Sequence, residues 1–333
     1  MAYLFVNFGG PRHLDEIAPF LKELLTDRDV IRTSWPKWLH NYFFRRIAQK
    51  RALKIRPDYE MIGGKSPIYF DTENLAIAFQ KKISAAPQVL TFHRYLPSTH
   101  SEALKNIEKC ESEMIRVIPL FPQFSYATTG SIARFFQTHL SPSTLQKLQW
   151  IRSFATHPAF ILTFQRRIRE FLEQKKIAEE ECILLFSAHG LPRSFITSGD
   201  SYELECQHSF EAIRQAFPKA ISQLAYQSKF GRGEWLKPYT NEVCEEILSW
   251  SEGRKHVIIL PLSFLSDHIE TLYEIETLYL PILQRQGLES HRCPALNLEN
   301  YWIENLLEIV TTSPTSKTED LIYRPHNYRW KSF

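Results

Sequence analysis

No stretch of the 333-residue sequence is apolar for long enough to cross a bilayer. The longest run, around VIILPLSFL, is broken by Pro261 and Ser263 and falls far short of the roughly 20 residues that a membrane helix requires. An excess of charge is missing too. Forty basic residues against 37 acidic ones leave a net charge of +3, too even a balance for the dense positive field that a phosphate backbone demands, so nucleic acid is excluded as a partner. Cysteine is sparse. Cys110, Cys182, Cys206, Cys244 and Cys293 are widely separated, odd in number and never paired as CxxC, which argues against a disulfide framework or a zinc knuckle and predicts free, buried thiols in a reducing cytoplasm. The opening MAYLFVNFGGPR carries no basic stretch ahead of its apolar run and is expected to be a strand and a glycine turn rather than an export signal.

Several motifs are also missing. Neither HExxH nor HxxEH occurs, which removes the common zinc protease helices. HIE at His268–Glu270 has the spacing of a zinc deaminase but lacks the PCxxC partner. There is no GxSxG elbow, no GxxxxGK phosphate loop and no GxGxxG dinucleotide turn; the common hydrolase, nucleotide and dehydrogenase chemistries each lack their mark.

What is present describes an ordinary globular protein, with 44% hydrophobic and 23% charged residues. The length exceeds what one core usually holds and predicts two domains. Short apolar runs (AYLFVNF, QVLTFHRY, MIRVIPLF, CILLFSA, ISQLAYQ and HVIILPL) have the continuous apolar character of parallel strands buried on both faces. Between them lie segments such as ENLAIAFQKKI, SIARFFQTHL and AFILTFQRRIREFLEQKK, with apolar residues at intervals of three and four. The alternation predicts an α/β fold with doubly wound sheets. Near LQWIRSFATHPAF a closing strand meets a new helix, so the expected domains are 1–150 and 151–302, with a C-terminal helix 303–333 packing back on the first.

In such sheets ligands bind beyond the carboxyl ends of the strands. Polar residues collect there: Asn7, Gly9 and Gly10, then Arg94 and Tyr95, Ser187 and His189, Gln227 to Lys229, and Ser266 to Glu270. His189 ends a strand otherwise suited to burial, and an imidazole can take a proton near neutral pH or ligate a metal. In SFLSDHIETLYEIE, Ser266 is placed to cap a helix, and Asp267, Glu270 and Glu274 follow at steps of three and four, which predicts three carboxylates on one helical face. The helix dipole favours Asp267 and Glu270 in a first turn but not Glu274; an acidic row without interspersed lysines suggests a path for cations or protons. Phe8, Trp235 and Phe264 fall in strand-end loops, where aromatics can wall a cleft for a flat apolar molecule.

Taken in order, VNFGGP, FLKELLTDRDVI, IGGKSPI, FHRY, PLFPQFSYATTGS, FSAHGLP followed by GDSY, QSKFGRGEWLKP and SDHIETLYEIE closely resemble ferrochelatase, and the resemblance spans nearly the whole chain. It implies a class II chelatase-like fold of two Rossmann-like domains facing a central cleft, with His189 and Glu270 on opposing walls. The implied reaction is the last step of haem biosynthesis: insertion of Fe(II) into protoporphyrin IX with release of two protons. His189 would accept the pyrrole protons and contact iron with Glu270 as partner, while Asp267, His268 and Glu274 would conduct protons or metal. Phe8, Trp235 and Phe264 would grip the ring, and Arg94, Tyr95 and Ser125 would meet propionates or the rim. Iron is here a substrate and no organic cofactor is expected.

Two departures matter. GDSY stands where the family usually has GDPY, which predicts a looser loop at Gly199–Tyr202. Animal members end in a cysteine-rich iron-sulfur extension, but no cysteine follows Cys293, so no cluster is expected. The final stretch is aromatic and basic, with Tyr323, Arg324, Tyr328, Arg329, Trp330, Lys331 and Phe333; at most it implies peripheral membrane contact. Monomer and homodimer both stay open. So do coproporphyrin III or another tetrapyrrole and metal as substrates, and a carrier of haem or metal without catalysis.

Overall fold

The computed structural model describes residues 1–83, 87–231 and 233–324. Its strands are β1 (Ala2–Asn7), β2 (Val89–His93), β3 (Ile115–Pro119), β4 (Leu148–Ile151), β5 (Cys182–His189), β6 (Ile221–Gln227), β7 (His256–Pro261), β8 (Glu289–Arg292) and β9 (Thr315–Ser316). They sort into two sheets, ordered β2-β1-β3-β4-β9 and β6-β5-β7-β8. Within each, the first strand in the chain lies between the second and the third, all parallel, so the halves repeat one winding order. The fold is α/β with two parallel-sheet domains, as the alternation of apolar runs and amphipathic segments predicts.

The central strands are mostly apolar because both faces are covered. Along β1, Tyr3 and Phe5 face one core while Leu4 and Val6 face another. In β5, Leu184 and Phe186 join the core of Tyr3 and Phe5, whereas Ile183 and Leu185 turn to the far side. One apolar cluster therefore runs between the two sheets, filled by the helices Pro67–Lys82, Pro158–Lys175 and Asn300–Thr312.

The C-terminal segment differs from expectation in form. It comprises the helix Asn300–Thr312, then β9, which adds antiparallel to β4, then a short turn of helix at Thr318–Leu321. There the buried Trp150 indole N–H donates to Thr318 Oγ1 at 2.9 Å. Tyr323 lies under the Arg32 guanidinium, 3.8 Å from its ring centre; Tyr328, Arg329, Trp330, Lys331 and Phe333 lie outside the described residues. Among the described residues no helix is long and apolar enough to cross a membrane, and all five cysteines are buried and unpaired.

Candidate active site

His189 is the last residue of β5, and its position follows from the packing of its neighbours. Ser187, two residues earlier on the same side of the strand, donates to Gln227 Oε1 at 2.7 Å. Gly190 donates its N–H to the Gln227 carbonyl at 2.8 Å, and a Cβ on Gly190 would stand 2.7 Å from that oxygen. Only glycine lets the chain turn this tightly against β6. The His189 N–H donates to Ser263 Oγ at 2.9 Å, which ties the end of β5 to the loop after β7.

That loop leads into a widened helix, Glu270–Tyr279, with π-type hydrogen bonding, a form frequent at functional sites. Gln227 Nε2 donates to the Glu270 carbonyl at 3.0 Å, fastening the helix start to the end of β6. The result is direct contact: His189 Nδ1 lies 2.7 Å from Glu270 Oε2. The expected placement on opposing walls is therefore corrected. Both groups belong to the second sheet's carboxyl edge, and a gap of one hydrogen bond leaves no room for a macrocycle between them.

Glu270 accepts from a second side. Ser228 Oγ lies 3.3 Å from Glu270 Oε2 and 2.5 Å from Glu274 Oε2, a single hydroxyl between two carboxylates. Ser228 holds this place with φ at +64°, a left-handed backbone uncommon for a residue with a side chain. The electrostatics separate the two acids. Burial opposes ionisation of Glu270, but the charge and hydrogen bond of His189 hold its carboxyl well below the usual range. Burial and the neighbouring Glu270 push the Glu274 carboxyl up to about 7. Burial would lower the His189 imidazole, yet Glu270 outweighs it and raises the value. Near neutral pH the row thus offers a carboxylate at Glu270, a titrating acid at Glu274, and a hydroxyl able to pass a proton between them.

His268 Nδ1 lies 3.2 Å from the Ser266 carbonyl, which can only accept, so Nδ1 carries a hydrogen, and Nε2 lies 3.9 Å from Glu270 Oε2. Burial holds this ring below the ordinary imidazole value. The first domain contributes too: of the helix Lys37–Met61, buried Tyr59 feels the charge of Glu270 and half-buried Arg51 those of Glu274 and Glu270, and Arg51 sits 4.2 Å from the Phe230 ring centre.

Asp267 does not belong to the acidic row. It precedes the helix, is buried, and is committed elsewhere: Arg292 donates to it at 2.7 Å, Asn297 Nδ2 at 2.9 Å and Thr271 Oγ1 at 2.8 Å. Its carboxylate anchors the helix start to the chain after β8. Ser266 makes no cap; the His268 N–H is met instead by Thr271 Oγ1 at 3.0 Å.

The aromatic candidates divide. Phe264 packs edge-on toward His189 and against His268, with ring centres 6.3 and 4.6 Å apart. Trp235 bridges to Pro192, its ring lying beside Gly190, and its buried indole N–H has no acceptor among the described residues. Phe8, half-buried after β1, packs edge-to-face on Tyr95 and Phe121 at 4.9 and 5.1 Å. Arg94, Tyr95 and Ser125 are spent inside the protein. Arg94 and the Tyr95 hydroxyl both bond Asp27 Oδ2, at 2.8 and 3.0 Å. Ser125 donates to Asp200 Oδ2 at 2.9 Å. These partners occupy the Tyr95 hydroxyl, the Ser125 hydroxyl and the Arg94 Nη2, while the buried Arg94 Nη1 has no partner among the described residues. Asp200 belongs to the GDSY loop, and Ser201 Oγ there accepts from Arg152 at 2.8 Å and donates to Glu205 at 2.7 Å.

Gln227 and Ser228, marked in the sequence as strand-end polar residues but given no role, complete the site together with Ser263. The signal was the polar cluster at the ends of β6 and β7, which periodicity marks as loop but does not orient.

Comparison with known proteins follows the same lines. The family model described as Ferrochelatase matches residues 1–313. Ferrochelatase of Chlamydia caviae is 44% identical over 321 residues, covering 96% of this chain and 98% of its own. That of Chlamydia trachomatis serovar A is 43% identical over 325 residues, covering 98% and 100%. Among solved structures, CbiX, the terminal enzyme for biosynthesis of siroheme in denitrifying bacteria, superposes with a TM-score of 0.51 at 13% identity over 93% of this chain and 98% of its own. SirB from Bacillus subtilis with Fe3+ gives 0.55 at 12% identity over 93% and 94%. At such identities the likeness to the solved structures is one of fold.

Proposed function

The chain belongs to the ferrochelatase family, and from that premise we propose that it inserts ferrous iron into protoporphyrin IX, releasing two protons. As a member of this family it is an enzyme, a lyase acting as a metal chelatase. The observation that carries the finer reading is the His189–Glu270 contact continued through Ser228 to Glu274.

Two pyrrole N–H bonds must break as two metal–nitrogen bonds form, so the site needs a base beside the ring and a route by which protons leave. With Nδ1–H donated to Glu270, neutral His189 keeps a lone pair on Nε2 to accept a pyrrole proton, and the Glu270 carboxylate stabilises the imidazolium that results. The proton then has acceptors in line, Glu270, the Ser228 hydroxyl and Glu274, the last poised at about 7. Imidazole and carboxylate together also suit Fe(II) as a transient ligand pair. His268 stands beside the same carboxylate, Phe264 supplies apolar surface beside His189, and Trp235 supplies it beside Gly190. Asp267, in this reading, positions the helix and does not conduct. Five buried free thiols are in keeping with work in a reducing cytoplasm.

The test is an anaerobic insertion assay with Fe(II) or Zn(II), following the metalloporphyrin by absorbance, with protoporphyrin IX and coproporphyrin III side by side. The reading expects turnover with protoporphyrin IX, and His189→Ala should abolish insertion while porphyrin still quenches tryptophan fluorescence. Full turnover in His189→Ala would overturn the assignment of the base. Preference for coproporphyrin III would overturn that of the substrate.

A further inference from the structure

Away from the active site, the opposite end of the second sheet gathers His256, Glu289 and His291. His256 opens β7 and pairs in register with Glu289 of β8; His291 lies two residues further along β8. Strand alternation puts all three side chains on one face of the sheet. One donor atom from each lies within 4.8 Å of the other two. His256 Nδ1 is buried, 3.5 Å from Glu289 Oε2, and has no hydrogen-bond partner among the described residues. The His291 ring is backed by Phe171 of the helix Pro158–Lys175, with ring centres 6.3 Å apart.

A charged residue on an edge strand is a common device against unwanted pairing, and Glu289 alone would need no other account. It does not explain two imidazoles facing the same carboxylate, one with an unmet buried nitrogen. We propose that His256, Glu289 and His291 form a binding site for a divalent first-row transition-metal ion, separate from the chelatase pair.

Two imidazole nitrogens and one carboxylate oxygen are the donors that Zn(II), Ni(II), Co(II) or Cu(II) accept, whereas Ca(II) and Mg(II) call for oxygen cages. Tetrahedral bonds of about 2.0 to 2.1 Å set donor atoms about 3.3 Å apart. Glu289, with 71% of its side chain exposed, can close the present spacing by rotation while the imidazoles stay on their strands. The fourth position is left for water. β7 separates this cluster from the active-site turn: its five intervals span about 16 Å at about 3.3 Å each, so an ion here is out of reach of His189. A bound ion would pin β8 to β7, and β8 delivers Arg292, which holds Asp267.

The site is tested on the full chain by equilibrium titration with Zn(II) against a chromophoric chelator, in a His189→Ala/Glu270→Gln background that disables the chelatase pair. One zinc equivalent should bind, and adding His256→Ala and His291→Ala should weaken it at least tenfold and remove the zinc-induced rise in melting temperature. Glu289→Gln, at an exposed position that folding tolerates, should weaken zinc several-fold and leave porphyrin metallation by the otherwise wild-type chain unchanged. Zinc binding that is absent from the background chain, or indifferent to both sets of substitutions, overturns the proposal. If the double-alanine chain fails to fold, the Glu289→Gln titration decides alone. The zinc titrations do not depend on the insertion reaction.

Discussion

Replacing Glu270 by glutamine removes a charge and keeps a shape, and His189 should report the loss. A charge-assisted hydrogen bond is worth about 1.5 to 3 kcal/mol when well buried. Here the side chains are 36% and 24% exposed, so solvent screening points to the lower end, about 1.5 kcal/mol. At about 1.4 kcal/mol per pH unit, that corresponds to a fall of about one unit in the His189 midpoint. Histidine ring-proton NMR measures it directly, with the His189 signal identified by its absence from His189→Ala. The sign carries over to stability. His189 is raised in the folded state, so its contribution is complete below the unfolded imidazole value near 6.5 and is lost as pH rises through the folded one. Glu270 is depressed, so its contribution is complete above about 4.3 and is lost as pH falls through its lowered folded value. The pair therefore stabilises most between about pH 4.3 and 6.5, and E270Q should lose most in urea denaturation near pH 5.5 and less near 8.5. A His189 midpoint that stays put or rises in E270Q would refute the coupling inferred from the 2.7 Å contact.

Three further outcomes follow from other parts of the site. Glu274, raised to about 7 by burial and Glu270, binds its proton more tightly folded than unfolded, so wild-type stability should fall from pH 5 to 8 and E274Q should fall less, as read from denaturant midpoints. Gly190→Ala drives a Cβ against the Gln227 carbonyl and should cost about 1 to 3 kcal/mol of unfolding free energy. Asp267→Ala takes the buried partner from Arg292, whose side chain is 11% exposed and which keeps only the half-exposed Glu276; it should destabilise by about 3 kcal/mol yet retain most of the insertion rate at temperatures where it stays folded, since Asp267 is an anchor.

The sheets were legible because burial on both faces writes itself as nearly continuous apolar runs in β1, β3, β5 and β7, while the edge strands β2 and β6 keep enough apolar residues to be marked although they are only partly buried. β8, with the sequence ESHR, and the two-residue β9 carry no such mark, because edge strands are free to be polar or brief. The helix Lys37–Met61 escaped notice because basic residues are distributed around most of its circumference. His189, Glu270 and Glu274 could be found as polar groups at strand ends, but their contact could not. Spacing places Asp267 with them only if the helix begins before it; in fact the helix begins at Glu270 with wider turns, and Asp267 faces Arg292. For Arg94, Tyr95 and Ser125 the sequence is silent for a related reason: a polar residue at a strand end can serve a ligand or a neighbour, and Asp27 and Asp200, distant in sequence, supply a neighbour.

The return of β9 to β4 means that the first half of the molecule is not a contiguous piece of chain. A fragment cut at residue 150 would bare the outer margin of β4 and strand the Trp150 indole without Thr318. The second sheet is thus carried as an insertion within the first domain's covalent path. A circular permutant that keeps both ends of that path should fold where the simple truncation aggregates.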